Sequence, residues 1–252
     1  MRHMLIRNLL LVIVLAASQT LEAQTPPQPP PWIQLTIVQV EPAMVDEYIG
    51  VQREITAHIK KAGPAWRIVS RTDVFGDAYR FLIATPVPNL ATFDKKDSDT
   101  ELASLNNRSQ RYVKSQQSYA VRTLPDLDNP LPEKEQPGLT VINIVRIAPG
   151  REQEYFNVMK ADFLPHFNKA GFHHVNGSLT FGGESGYIHQ FYVKDFAKLD
   201  EGSPVVKALG AIGAQAVTAK LSGIVTSSEL WVARPLPDLS YGPWSAAAPT
   251  KQ

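Results

Sequence analysis

The chain carries the same phrases twice, and this repetition constrains its fold more than any other property. Ile37-Val38-Gln39-Val40-Glu41-Pro42 is answered by Ile144-Val145-Arg146-Ile147-Ala148-Pro149, and Glu47-Tyr48 by Glu154-Tyr155. His58-Ile59-Lys60-Lys61-Ala62-Gly63 returns as His166-Phe167-Asn168-Lys169-Ala170-Gly171, and Arg122-Thr123-Leu124-Pro125-Asp126-Leu127 as Arg234-Pro235-Leu236-Pro237-Asp238-Leu239. The offsets are 107 residues at the prolines (149 − 42), 108 at the histidines (166 − 58) and 112 at the last motif (236 − 124). So small a drift is expected of two copies of one folding unit that differ by short insertions in loops.

Each copy reads as the same series of elements. β-branched runs at 35–40 and 139–147 end at Pro42 and at Pro149-Gly150, which marks them as first strands. Apolar residues then recur at helical spacing over 45–62 and 152–170, each stretch closing at a glycine. Strand pairs at 66–74 and 79–85, and at 172–181 and 187–193, flank glycine-containing turns and predict hairpins. Second helices at 101–113 and 205–221 and last strands at 117–123 and 223–234 complete a βαββαβ order, the ferredoxin-like plan. A four-stranded sheet with helices on one face leaves its other face bare, and a bare apolar face is a liability. The fold class expected is therefore α+β, with two tandem ferredoxin-like repeats forming an intramolecular dimeric α+β barrel, a monomer in solution.

The expected parts are an export signal at 1–23, a Pro-rich linker at 24–31, repeat 1 at 32–127, a connector at 128–137, repeat 2 at 138–239 and a loose tail at 240–252. Arg2 and Arg7 before an unbroken apolar run at 9–17 carry the signal reading, because that run is too short to span a bilayer. A periplasmic or secreted protein with no membrane contact in its mature form follows. The 252 residues contain no cysteine, which removes disulfides and thiol nucleophiles. A formal net charge of +1 gives no reason to expect a nucleic-acid partner.

Ile147-Ala148-Pro149-Gly150-Arg151-Glu152, the run Phe163-Leu164-Pro165 ahead of Lys169-Ala170-Gly171-Phe172, and the strand Tyr187-Ile188-His189-Gln190-Phe191-Tyr192 resemble the NIPSNAP-type branch of the dimeric α+β barrel superfamily. The resemblance covers essentially all of repeat 2 and, more weakly, repeat 1. It implies the barrel fold and a superfamily that holds cofactor-independent monooxygenases, haem-dependent enzymes and proteins without known activity. NIPSNAP-like first strands often carry an arginine; here Asn143 and Thr36 stand in its place, so no activity that needs it is implied.

A ligand site is expected between the two sheets or at the barrel mouth, where one copy turned polar while the other did not. His189 is matched with Phe81, His174 with Trp66 and Asn143 with Thr36, so the candidate ligand-binding residues are Asn143, His174, Tyr187, His189, Trp66 and Phe81. The alternative for these positions is drift between copies. His173 and His174 are neighbours in a strand and point to opposite faces, and no HExxH pattern occurs, so neither a metal nor any other cofactor is called for. His58 and His166 sit where helix C-termini favour cations in any case. No acid–base constellation names a catalytic residue. The expected function is binding of a small apolar or aromatic molecule. The alternative is a cofactor-independent monooxygenase or haem-dependent enzyme of the barrel type.

Overall fold

The computed structural model describes residues 31–61, 63–72, 74–94, 99–132 and 135–242. The export signal, nearly all of the Pro-rich linker and the tail beyond Gly242 lie outside the described residues. Eight strands, β1 (Trp32–Val40), β2 (Ile68–Thr72), β3 (Arg80–Val87), β4 (Val113–Thr123), β5 (Leu139–Ile147), β6 (His173–Phe181), β7 (Gly186–Val193) and β8 (Val225–Pro235), close into one barrel. Around it the order is β1-β3-β2-β8-β5-β7-β6-β4, with every pairing antiparallel. The order 4-1-3-2 of the first four strands recurs in the last four as 8-5-7-6, and the halves join along two seams, β2 with β8 and β4 with β6.

The barrel interior is one apolar core shared by both halves: Leu35, Leu82, Tyr119 and Val121 meet Ile142, Ile144, Leu179, Ile188 and Ala233. At the β4–β6 seam the strands come so close that a side chain on Gly177 would meet Val121 Cγ1 at 2.3 Å, so glycine is required there.

The outer faces are also apolar and are covered by helices. Over the first half lie α1 (Val45–Ile59), which buries Val45, Tyr48, Val51 and Ile55, and α2 (Thr100–Gln110). The latter is capped by Asp99, whose carboxylate accepts the Leu102 N–H at 2.9 Å and the His58 ring N–H at 2.6 Å.

Over the second half the expected single helix is broken. It runs as α3 (Glu152–Val158), a π-helical turn over Met159–Phe163, and α4 (Leu164–Lys169). Two causes coincide. Pro165 has no N–H to donate to the carbonyl of residue 161, which removes one helical bond. The repeat offset also steps from 107 at Tyr48 and Tyr155 to 108 at His58 and His166, so one extra residue lies inside this helix and not in a loop. A π turn is how a helix absorbs such an insertion, and Leu164 N–H reaches back five residues to Met159 O. Beyond it come α5 (Phe196–Asp200) and α6 (Pro204–Ala219), the latter interrupted at Gly210, whose φ of 69° leaves the helical region.

Candidate functional site

The broken helix does not seat fully on its sheet, and a cavity of about 690 Å³ remains beneath it. Val141, Asn143, Val145, His189, Phe191 and Leu230 form its floor on β5, β7 and β8. Tyr155, Met159, Phe163 and Phe167, from the broken helix, with Val205 and Ala214 of α6, form its roof. The lining is almost wholly apolar and aromatic. On the sheet side its polar groups are His189, Tyr155 and the pair Asn143–Ser228, where Ser228 donates its hydroxyl to Asn143 Oδ1 at 2.7 Å; Lys198, Ser203, Thr218 and Ser222 border it on the helix side.

Behind that corner runs a directed chain of hydrogen bonds. Tyr155 Oη–H donates to His189 Nε2 at 2.9 Å, and His189 Nδ1–H donates to Asn176 Oδ1 at 2.6 Å. Asn176 Nδ2 reaches His174 Nδ1 at 3.1 Å, and His174 Nε2–H donates to Asn168 Oδ1 at 2.8 Å. The tautomers are assigned from the network: each imidazole donates once and accepts once, which requires both to be neutral. Burial enforces this by penalising the charged ring, and in addition His174 disfavours a proton on His189 and His173 one on His174. His189 is held down at about 3 and His174 at about 4. Burial likewise raises the Tyr155 phenol well above its ordinary value, so it stays a donor. Asn176 is anchored in turn by Leu127 O at 2.6 Å and by Asp128 Oδ1 at 3.0 Å.

Of the six residues singled out from the sequence, three meet around this cavity. Asn143 and His189 line it, and Tyr187 stacks on Tyr155 beside it with ring centroids 4.8 Å apart. His174 is fully buried one step behind, through Asn176. Trp66 and Phe81 lie elsewhere. Trp66 borders a separate cavity inside the barrel, and Phe81 is sealed under α1 against Tyr48. The large cavity is thus on the outer sheet face, under helices, and not between the sheets.

Strand register also corrects two of the matched pairs. Thr36 faces Ile83 as Asn143 faces His189, and Val38 faces Phe81 as Val145 faces Tyr187. His189 therefore takes the place of Ile83, and Phe81 corresponds to Tyr187. On the neighbouring strand Arg71 faces Phe81 and Ser178 faces Tyr187, which sets His174 level with Arg67, not Trp66. For His189 the cause is turn length, since seven residues join β2 to β3 and four join β6 to β7; for His174 it is the connection before the hairpin, where the offset falls from 108 at His58 and His166 to 107 at Arg71 and Ser178. Sequence reasoning missed Tyr155, Asn176 and Asn168. Tyr155 was visible as half of a repeated Glu-Tyr pair, and Asn176 as the residue two beyond His174, on the same strand face.

No protein-family model matches the chain, and no curated protein matches it. Solved structures do. A candidate monooxygenase from Fusobacterium nucleatum superposes with a TM-score of 0.60 at 9% identity, covering 82% of this chain and 93% of that one. An anthrone oxidase-like protein gives 0.58 at 12% identity over 81% and 91%, and a candidate monooxygenase from Lactobacillus acidophilus gives 0.55 at 13% over 83% and 94%. At these identities the likeness establishes the fold, that of the dimeric α+β barrels.

Proposed function

We propose that the cavity under the broken helix binds a small aromatic molecule carrying a hydroxyl group. A largely apolar, aromatic lining with Tyr155, His189 and Asn143 grouped on the sheet side carries this reading, because such a site takes up an apolar body and fixes its orientation through a polar end. At that end Tyr155 Oη keeps lone pairs after donating to His189, and Asn143, with its carbonyl taken by Ser228, keeps its amide hydrogens. His189 sets the Tyr155 hydroxyl and does not take a proton, since a ring held at about 3 is too weak a base for a phenol near neutral pH.

The wider reading is of two tandem ferredoxin-like repeats, 32–127 and 138–239, in a NIPSNAP-like chain exported by its first 23 residues, monomeric because each repeat covers the other's inner face. Shared strand order, matched register and the core common to both halves support the duplication.

A second reading, cofactor-independent oxygenation of the same ligand, is supported by the fold shared with candidate monooxygenases and an anthrone oxidase-like protein. Dioxygen uptake with an anthrone tests it. Haem does not fit: His189 is the one histidine lining the cavity among the described residues, and both of its ring nitrogens are already hydrogen-bonded inside the protein.

The binding test is titration of the mature chain with phenols of one to three fused rings, followed by calorimetry. At least one should bind, and His189→Ile, which installs the first-half residue, should weaken it by about 1–2 kcal/mol through loss of the Tyr155 anchor. Binding by none, or equal binding to His189→Ile, overturns the proposal.

A further inference from the structure

The barrel interior contains a second cavity, of about 380 Å³, on the other side of the sheet from the first. Trp66, Val121, Val175 and Ile188 supply apolar walls, and Tyr192 and Asp128 border it with polar groups. Asp128 belongs to the connector, which is pinned across β6 by Asn129 N–H to His174 O at 2.9 Å and by His174 N–H to Asn129 O at 2.7 Å. Its Oδ1 accepts the Asn176 backbone N–H at 2.7 Å and the Asn176 amide at 3.0 Å. Among the described residues no lysine or arginine pairs with it. A carboxylate drawn into apolar surroundings with neutral donors alone is incompletely compensated, and burial pushes its value up to about 6.

We propose that the barrel cavity binds a small organic ammonium ion, with Asp128 as its counter-ion and the Trp66 and Tyr192 rings packed against it. The chemistry selects this class. An ammonium supplies an opposite charge, which no described residue provides, aromatic faces attract cations, and the apolar walls accept the hydrocarbon part. A neutral molecule of the same shape leaves the carboxylate as it was, and an anion is repelled. The two cavities lie on opposite faces of the sheet and Asp128 borders only the inner one, so amine binding is tested separately from the phenol site, with an Oδ1 acceptor kept for Asn176 of the outer hydrogen-bond chain.

Benzylamine and its neutral counterpart benzyl alcohol, titrated into the full chain, provide the test. The amine should bind at least tenfold tighter than the alcohol. Asp128→Asn, which keeps an Oδ1 acceptor for Asn176, should erase that difference, and Val141→Phe, which fills only the outer cavity, should leave amine binding within twofold. Equal binding of the two compounds, no binding of the amine, or loss on Val141→Phe with Asp128→Asn unaffected overturns the proposal. Should Asp128→Asn not fold, nuclear Overhauser contacts in the unaltered chain decide: contacts from the benzylamine ring to Trp66 and Val121 uphold the site, and contacts to Phe163 and Phe167 overturn it.

Discussion

The two outer faces of the barrel start from the same strand order and end differently. Under the first half, α1 is continuous, and Tyr48 packs on Phe81 with ring centroids 4.9 Å apart among Val38, Val69 and Leu239. The polar groups there are linked to one another: Arg67 donates to Gln52 Oε1 at 2.6 Å and Gln52 donates to Ser109 at 2.9 Å. Under the second half, one inserted residue and Pro165 turn the helix through a π turn; Tyr187 stacks on Tyr155 as Phe81 does on Tyr48, and a cavity opens beside that pair, over His189 and Phe191. Where the first face has Ile83, Val69 and Arg67, the second has His189, Asn176 and His174. A helix insertion with Pro165 and three substitutions accompanies the change from a packed face to a hollow one, because close-packed layers do not stretch to cover a misfit.

The largest expected effect tests packing. Phe81→Ala should destabilise by about 3–5 kcal/mol, since the ring is fully buried and its neighbours cannot collapse into the hole. Phe163→Ala, at a ring that already borders empty space, should cost about 1–2 kcal/mol, or less than half as much. Denaturant unfolding of both variants measures the contrast, and equal costs would mean the second face is packed as tightly as the first.

Acid comes next. His189 and His174 have folded values below the unfolded value of about 6.5, so the unfolded chain binds the extra protons between that value and about 3 to 4. Their contribution is fully present above about pH 6.5 and is lost as pH falls. Asp128, raised to about 6 from an unfolded value of about 3.9, acts in the opposite sense over the same range. Between pH 6 and 4 the two histidines outweigh Asp128, so the three groups together leave a net uptake of protons on unfolding, and stability falls as pH falls. Removing one histidine by His189→Ile should make that slope shallower. An unchanged slope in unfolding curves across this range would show that the chain of neutral rings does not exist.

The smallest effect on stability sharpens the comparison most. Deleting Ala161 restores the first-half spacing of 107 through the helix. The melting temperature should stay within about 2–4 °C, while phenol binding falls at least tenfold as the roof settles on the sheet. Retained binding would show that Pro165 alone holds the helix open.

Strand order was legible in the repeated motifs, because an alternation of strands and helices with short connections leaves few antiparallel arrangements open. So was the fact of an insertion, in the step from 107 to 108. Its place inside the helix follows from the same numbers, both marker pairs lying within the expected helices 45–62 and 152–170; that a π turn absorbs it was not legible, since loops ordinarily take up such differences. The candidate site was half legible: Asn143, His174 and His189 stand out as polar residues in apolar strands, but their partners Tyr155 and Asn168 sit on a helix whose phase changes at the π turn.

By itself the sequence determined the periodicities, the two halves and the polar intrusions, all of which are local properties of the chain. Which face of each strand turns inward was a tertiary decision, because a barrel wrapped by helices buries both faces. Along β7 the residues at Tyr187, Ile188, His189, Phe191, Tyr192 and Val193 are all buried, so alternation carries no sign of inside or outside. The turn lengths then set the register across the hairpins, and only the closed sheet, where each strand is fixed by two neighbours at once, decided that His189 stands level with Ile83 and looks out under a helix instead of into the barrel.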